Sequence, residues 1–241
     1  MAVVISRNDP AFDEALLDRA SVAFGVFDGV HEGHRFIIGE AVNTAREEGR
    51  ASAVITFDID PDEVFAADRL KKLMTNEARI AKLAELDVDA VVVLPFSREF
   101  AAQSPEDFLN ACFGGGVPSH IHIGSDFHFG RKAAGNVESL RAWGAERGME
   151  VHGHELVAEG GRPVTATRIR GLLSEGRARE AADLLGRPYT LEGTVRPGRG
   201  EGRDFGFATA NLEVPPELLA IGQKNCEASG GTVTVTDDRV S

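Results

Sequence analysis

Residues 22–34, Val-Ala-Phe-Gly-Val-Phe-Asp-Gly-Val-His-Glu-Gly-His, constrain the fold more than any other part of the chain. From Val22 to Phe27 the run is apolar without polar alternation, the pattern of a strand buried on both faces, and such strands belong to parallel sheets. From Arg35 to Glu48 the apolar positions Phe36, Ile37, Ala41, Val42 and Ala45 fall at helical spacing. The turn between strand and helix carries Gly25, Gly29 and Gly33 together with His31 and His34. Glycines admit tight backbone and close ligand approach. The helix N-terminus offers unpaired N–H groups and a positive dipole end, and imidazoles donate to oxygen anions. Such a turn suits a triphosphate.

The alternation continues along the chain. Ala51 to Phe57 is a second short apolar strand, followed by an acidic, proline-containing loop from Asp58 to Asp62. Asn76 to Leu86 has helical spacing, Asp89 to Pro95 is another apolar strand, and Ser104-Pro-Glu-Asp107 has the N-cap, proline and acids of a helix start. A strand at 120–124, a helix at 137–147, a strand at 149–156 and helical runs at 167–174 and 178–185 follow. This order predicts an α/β fold, an open and mostly parallel sheet with helices on both faces. Composition shifts at Gly186-Arg-Pro188, which sets an expected boundary between a domain of residues 1–186 and a smaller module of residues 187–241. In that module, 189–195 and 232–236 have strand patterning.

A net charge of −12 leaves no broad surface for nucleic acid or an anionic membrane, so an anionic ligand must meet a focal cationic pocket. The N-terminal apolar run is too short for a signal peptide, and no stretch reaches the ~20 apolar residues that span a bilayer. Cys112 and Cys226 lie far apart without metal-type spacing. These features predict a cytoplasmic protein whose partners are small molecules.

Ligands in parallel α/β sheets sit beyond the carboxyl ends of the strands, where three motifs fall. The first is the turn with His31 and His34. The second is Gly124-Ser-Asp-Phe-His-Phe-Gly130, where Asp126 can anchor a ribose or organise a cation. The third, Thr165-Ala-Thr-Arg-Ile-Arg170, opens a helix and offers hydroxyls, backbone N–H groups and two guanidiniums to a polyphosphate. Together they describe nucleotidyl transfer, with His31, His34, Thr167 and Arg170 as catalytic candidates.

The motifs resemble those of the bacterial bifunctional riboflavin kinase/FMN adenylyltransferase family, the resemblance running over about residues 15–215. Gly-x-Phe-Asp-Gly-x-His-x-Gly-His is complete at 25–34, and Gly-x-Asp-Phe-x-Phe-Gly at 124–130. The resemblance implies a Rossmann-like nucleotidylyltransferase domain that moves AMP from ATP, with Mg2+, onto the phosphate of FMN. His31 and His34 would contact the ATP phosphates and Arg170 the pyrophosphate side. Binding positions would be Gly25, Phe27, Asp28, Gly29, Gly33, Thr56, Asp126, Phe127, Phe129, Thr165 and Arg168. Two departures stand out. Ile59 and Asp60 replace a Pro and a His of Thr-Phe-x-Pro-His-Pro, and Ala166 replaces a hydroxyl residue of Ser-Ser-Thr-x-Ile-Arg. The first keeps open another phosphate acceptor; the second, a nucleotide- or flavin-binding protein without turnover.

Residues from Gly186 to Asn211 follow the start of the family's riboflavin kinase barrel, with Ala208 in place of a Pro. Thr209 and Asn211 occupy its magnesium and phosphate positions. The barrel's catalytic carboxylate has no counterpart before Ser241, and a truncated β-barrel cannot close, so no riboflavin kinase activity is expected of this chain. His120 and His122 share a strand face, as do His152 and His154, but neither pair has a third ligand at zinc-type spacing, which makes them polar strand positions. Trp143 is expected in the core, and Arg177 and Arg179 on a solvated face.

Overall fold

In the computed structural model of the chain, the apolar runs that lack alternation in sequence alternate in space. The described residues are 2–66, 71–196, 211–219, 226–229 and 232–235. Strands β1 (Val3–Ser6), β2 (Ser21–Phe24), β3 (Ser52–Phe57), β4 (Ala90–Leu94), β5 (His120–Gly124) and β6 (Glu150–His154) form one sheet in the order β1-β4-β3-β2-β5-β6, every pair parallel. The helices are α1 (Glu32–Glu48), α2 (Pro61–Ala66), α3 (Asn76–Ala84), α4 (Arg98–Ala101), α5 (Pro105–Phe113), α6 (Val137–Ala145), α7 (Ala166–Ser174) and α8 (Ala178–Leu185). Val22, Phe24, Ile55, Val92, Ile121 and Ile123 enter one core with Phe108, Phe113 and Trp143 of α5 and α6. Ala23, Val54, Val91 and Val93 enter another with Ile38, Ala41 and Leu83 of α1 and α3. A strand covered on both faces is apolar on both, which is why these runs show no period of two.

The chain builds β2, β3 and β4 outward on one side and β5 and β6 on the other. Order therefore reverses between β2 and β5, and a crevice opens beyond their carboxyl ends, the usual ligand position in such sheets. Gly25 and Gly124 stand at its floor, directly after β2 and as the last residue of β5.

Several boundaries differ from the sequence reading. β2 stops at Phe24 rather than Phe27, because Phe27 takes a left-handed conformation. α1 starts at Glu32, its first turn hidden in sequence by Gly33 and His34. The acidic loop ends in helix α2. Edge strand β1 was not anticipated: four residues with Val3 and Val4 exposed carry no buried-strand signal. β6 is shorter than 149–156, and a small hairpin, β7 (Ala158–Glu159) and β8 (Arg162–Pro163), follows it.

A third core joins Ile169, Leu172 and Leu173 of α7 and Leu184 and Leu185 of α8 to Tyr189 and Leu191. The strand expected over 189–195 breaks at Gly193 into β9 (Tyr189–Glu192) and β10 (Thr194–Arg196). β10 pairs with β11 (Asn211–Glu213), while β12 (Cys226–Ser229) pairs with β13 (Thr232–Val235), which in turn pairs with β9, all antiparallel. Thr209 lies outside the described residues. No helix among the described residues is long and apolar enough to cross a membrane.

Candidate functional site

The turn after β2 is backbone-strained and multiply tied. Phe27 (φ 62°), Gly29 (φ 74°) and Val30 (φ 40°) all have positive φ, a region that a β-branched residue such as Val30 rarely enters. Gly29 meets the requirement without strain, and a Cβ on it would lie 2.6 Å from Leu73 Cδ1. Arg187 holds the turn by donating to Gly29 O at 2.6 Å and Val30 O at 3.1 Å. The Leu73 N–H donates to both Asp28 carboxylate oxygens at 3.3 Å.

The helix begins on His31. As N-cap of α1, its Nδ1 accepts the His34 N–H at 3.3 Å, so in the neutral ring the proton resides on Nε2. Burial, aided by the positive charge of Arg187 and Arg170, lowers the His31 pKa to about 4. The His34 ring stacks on it at 3.5 Å between centroids, and burial likewise holds His34 well below the ordinary imidazole value. Both rings are therefore neutral at physiological pH, each with one N–H to donate. Gly33 sits between them; a Cβ there would lie 3.2 Å from the His31 ring.

Opposite stands α7. Thr165 caps it, its Oγ1 accepting the Arg168 N–H at 3.1 Å, which leaves the hydroxyl hydrogen to donate elsewhere. Arg170, one turn further on, places Nη2 2.5 Å from Asp28 Oδ2. Burial pushes the Asp28 carboxyl up, and Arg170 is the strongest influence pulling it back. Arg170 Nε and His34 Nδ1 are buried and meet no hydrogen-bond partner among the described residues. Buried polar atoms without partners are costly to a fold and ask for a ligand.

These groups share one cleft of about 430 Å³. Of the residues singled out in sequence, Gly25, Phe27, Asp28, His31, Gly33, His34, Asp126, Phe127, Thr165, Thr167 and Arg170 line it, with Asp60 and Ala166 beside them. Four binding candidates do not. Gly29 is packed beneath Leu73, Thr56 is fully buried with its Oγ1 donating to Val26 O at 3.2 Å, and Phe129 is a core ring stacked on Phe108. Arg168 turns away, donating to the carbonyls of Glu159, Arg162 and Pro163 around the small hairpin.

Arg79 was missed in sequence. It is 1% exposed and donates to Val26 O at 2.8 Å, Thr56 Oγ1 at 2.6 Å and Phe57 O at 2.7 Å, tying α3 to the chain just beyond β2 and to the end of β3. Its signal was present: Arg79 precedes Leu83 by four residues, which puts a cation on the apolar face of its helix. Arg187, another cation beside the cleft, had no comparable signal.

A parallel sheet with its crevice at the point of strand reversal, lined by two helix N-termini and a His-x-Gly-His turn, defines a Rossmann-like nucleotidyltransferase domain. The chain belongs to the FAD synthetase family, which it matches over residues 13–168, and it matches the riboflavin kinase family over residues 185–229. It is 36% identical over 200 residues to a bifunctional riboflavin kinase/FMN adenylyltransferase of Listeria monocytogenes, covering 82% of this chain and 63% of that protein. Its identity to the Escherichia coli K12 protein of the same description is 31% over 220 residues, covering 84% and 69% respectively. In structure it resembles a protein from Streptococcus pneumoniae described as a macrolide-efflux protein, with a TM-score of 0.74 and 25% identity over 93% of this chain and 73% of the other.

Proposed function

We propose that residues 1–186 transfer AMP from ATP to the phosphate of FMN, giving FAD and pyrophosphate, and that residues 187–241 belong to a riboflavin kinase-like module. The carrying observation is that the N-termini of α1 and α7 converge on one cleft with two neutral imidazoles and a guanidinium. In this reading an FMN phosphate oxygen attacks the α-phosphorus, the bond to the β-phosphate breaks, and pyrophosphate leaves. His31 Nε2 donates to the nucleotide phosphates without itself titrating. Arg170, oriented by Asp28, meets the charge that grows on the leaving group. Thr165 and Thr167 add hydroxyl donors, and holding the acceptor in line supplies the remaining rate.

Magnesium is expected with the nucleotide. Such an ion is held chiefly by substrate phosphates with one or two carboxylates, and Asp62, Asp126 and Glu155 line the cleft while Asp28 is engaged by Arg170. When bound it would neutralise triphosphate charge. This reading implies the cytoplasm, rich in ATP, as the compartment.

Asp60 favours one competitor. It is 5% exposed in the cleft wall, at the place of the His in the pattern that the sequence resembles, and burial pushes its pKa up. A changed residue there suits a different phosphate acceptor. Chromatographic assay of the purified chain with ATP, magnesium and either FMN or riboflavin decides the matter. FAD and pyrophosphate from FMN are expected, with no FMN from riboflavin. ATP binding without FAD would sink the proposal, and turnover with another phosphate acceptor would establish the competitor.

A further inference from the structure

Four histidines line up on the side of the sheet that faces α1. β5 and β6 run in register, His120 opposite Glu150 and His122 opposite His152, so His120, His122, Glu150, His152 and His154 all project from the same face. Their neighbours Ile121, Ile123 and Val151 point into the opposite core. The rings form a stacked ladder, with His120 to His152 centroids at 5.3 Å and His122 to His152 at 4.6 Å. None of this takes part in the nucleotide cleft. His120 is at the amino end of β5 and Gly124 at its carboxyl end, four residues and roughly 13 Å apart along the strand.

Three ligand atoms converge at the amino end of the ladder. His120 Nδ1 lies 3.0 Å from His152 Nε2 and 4.0 Å from Glu150 Oε2, while His152 Nε2 lies 3.7 Å from Glu150 Oε1. Zinc bound tetrahedrally at its usual N and O distances spaces adjacent ligand atoms roughly 3.3 Å apart, which lies within that range. The outer shell is already built. His120 Nε2 is 3.0 Å from Glu48 Oε1 on α1, so the His120 proton resides on Nε2 and its Nδ1 lone pair faces His152. A carboxylate that fixes the far nitrogen of a ligating histidine is the common support of metal sites. Glu150 is 68% exposed, which gives an ion an entry path and leaves room for water in a fourth position.

We propose that His120 Nδ1, His152 Nε2 and the Glu150 carboxylate bind one divalent transition-metal ion of the zinc type, oriented by Glu48 and independent of the nucleotide cleft. Two imidazoles and one carboxylate suit zinc and its neighbours and poorly suit magnesium, which prefers oxygen. Metal entry requires no net proton loss, since the His152 proton shifts to the other ring nitrogen. The ion would cross-link the amino ends of β5 and β6 on the face held by α1.

The test is calorimetric titration of zinc chloride into untagged, metal-free full chain without nucleotide, alongside the Glu150→Gln/His152→Asn double variant and Glu48→Gln. One equivalent is expected in the parent chain and none in the double variant. Glu48→Gln is expected to bind 10- to 100-fold more weakly, the usual effect of losing an outer-shell partner. Zinc should raise the melting temperature of the parent chain and leave that of the double variant unchanged, and cobalt in its place should give the intense visible bands of four-coordination. Glu150 is exposed, so Glu150→Gln by itself guards against a double variant that fails to fold. Absence of zinc binding in the parent chain, equal binding by both variants, or a six-coordinate cobalt spectrum would each overturn the proposal.

Discussion

His31 carries two duties that one substitution can separate. Its Nδ1 caps α1 and its ring lines the cleft. Asparagine is as good an N-cap as residues offer, yet its short amide cannot reach where Nε2 stands. His31→Asn should therefore keep stability at pH 7.5 within about 1 kcal/mol while lowering the rate of FAD formation by about 10² to 10³, the usual loss of one preorganised donor. A melting curve and a turnover assay on the same sample check both halves; unchanged turnover would remove His31 from the phosphate site. Ala166 allows the reverse experiment. It is the first residue of α7, in the cleft wall between Thr165 and Thr167. Ala166→Ser restores a donor, and a turnover gain of about tenfold (about 1.4 kcal/mol) is expected; a rate at or below the parent's would show that this hydroxyl does not serve the transition state. At this scale the sequence was informative where backbone geometry dictates residue type. His31, Gly33, His34 and Arg170 sit at turn and helix-start positions whose spacing determines their direction. Phe129 and Arg168 belong to equally specific motifs but point elsewhere, because a motif gives proximity while packing decides orientation.

The elements meet the site through buried polar ties more than through helix propensity. Arg79 holds α3 against the chain beyond β2 and the end of β3 by three bonds to two carbonyls and a hydroxyl, and burial lowers its pKa against the pull of Asp60 and Asp28. Removing it leaves Phe57 O and Thr56 Oγ1 without that donor, while Val26 O keeps the Thr56 hydroxyl. Arg79→Met preserves most of the volume but removes the hydrogen bonds together with the cation that faces Asp60 and Asp28; a loss of about 2 to 6 kcal/mol of stability is expected, from two acceptors worth about 1 to 3 kcal/mol each. Urea unfolding measures it, and a change under 1 kcal/mol would show that water takes the place of the guanidinium. The sheet and most helices were legible because their periodicity reflects burial, as Val22–Phe24 and Ala90–Leu94 illustrate. β1 was not, since an exposed edge strand has no buried face to leave a pattern. Glu150 was not recognised as a partner of the histidine pairs because register across a parallel pair is set by the sheet, not by spacing along one strand.

At the scale of the whole molecule, the chain keeps the imidazoles of its cleft neutral. It carries a net charge of −12, yet its cleft depends on imidazoles that burial deprotonates and on an arginine matched to Asp28. This choice couples the site to folding through pH. The unfolded chain's histidine titrates near 6.5, while His31 in the fold titrates near 4. Between those values the unfolded state binds the extra proton, so this contribution to stability is complete above pH 6.5 and is lost as pH falls towards 4. At pH 5 the loss from His31 alone is about 2 kcal/mol. Asp28 and Asp60, raised by burial, act in the opposite sense in acid, so the total profile mixes signs and only a difference isolates the imidazole. His31→Asn provides that difference. Relative to the parent, the variant should gain about 2 kcal/mol between pH 7.5 and pH 5 in urea unfolding, because it no longer buries a group that acid would charge. Parallel profiles would mean that His31 is solvated in the fold. The phosphate cradle would then lack the dry imidazole on which its capacity to donate without titrating depends.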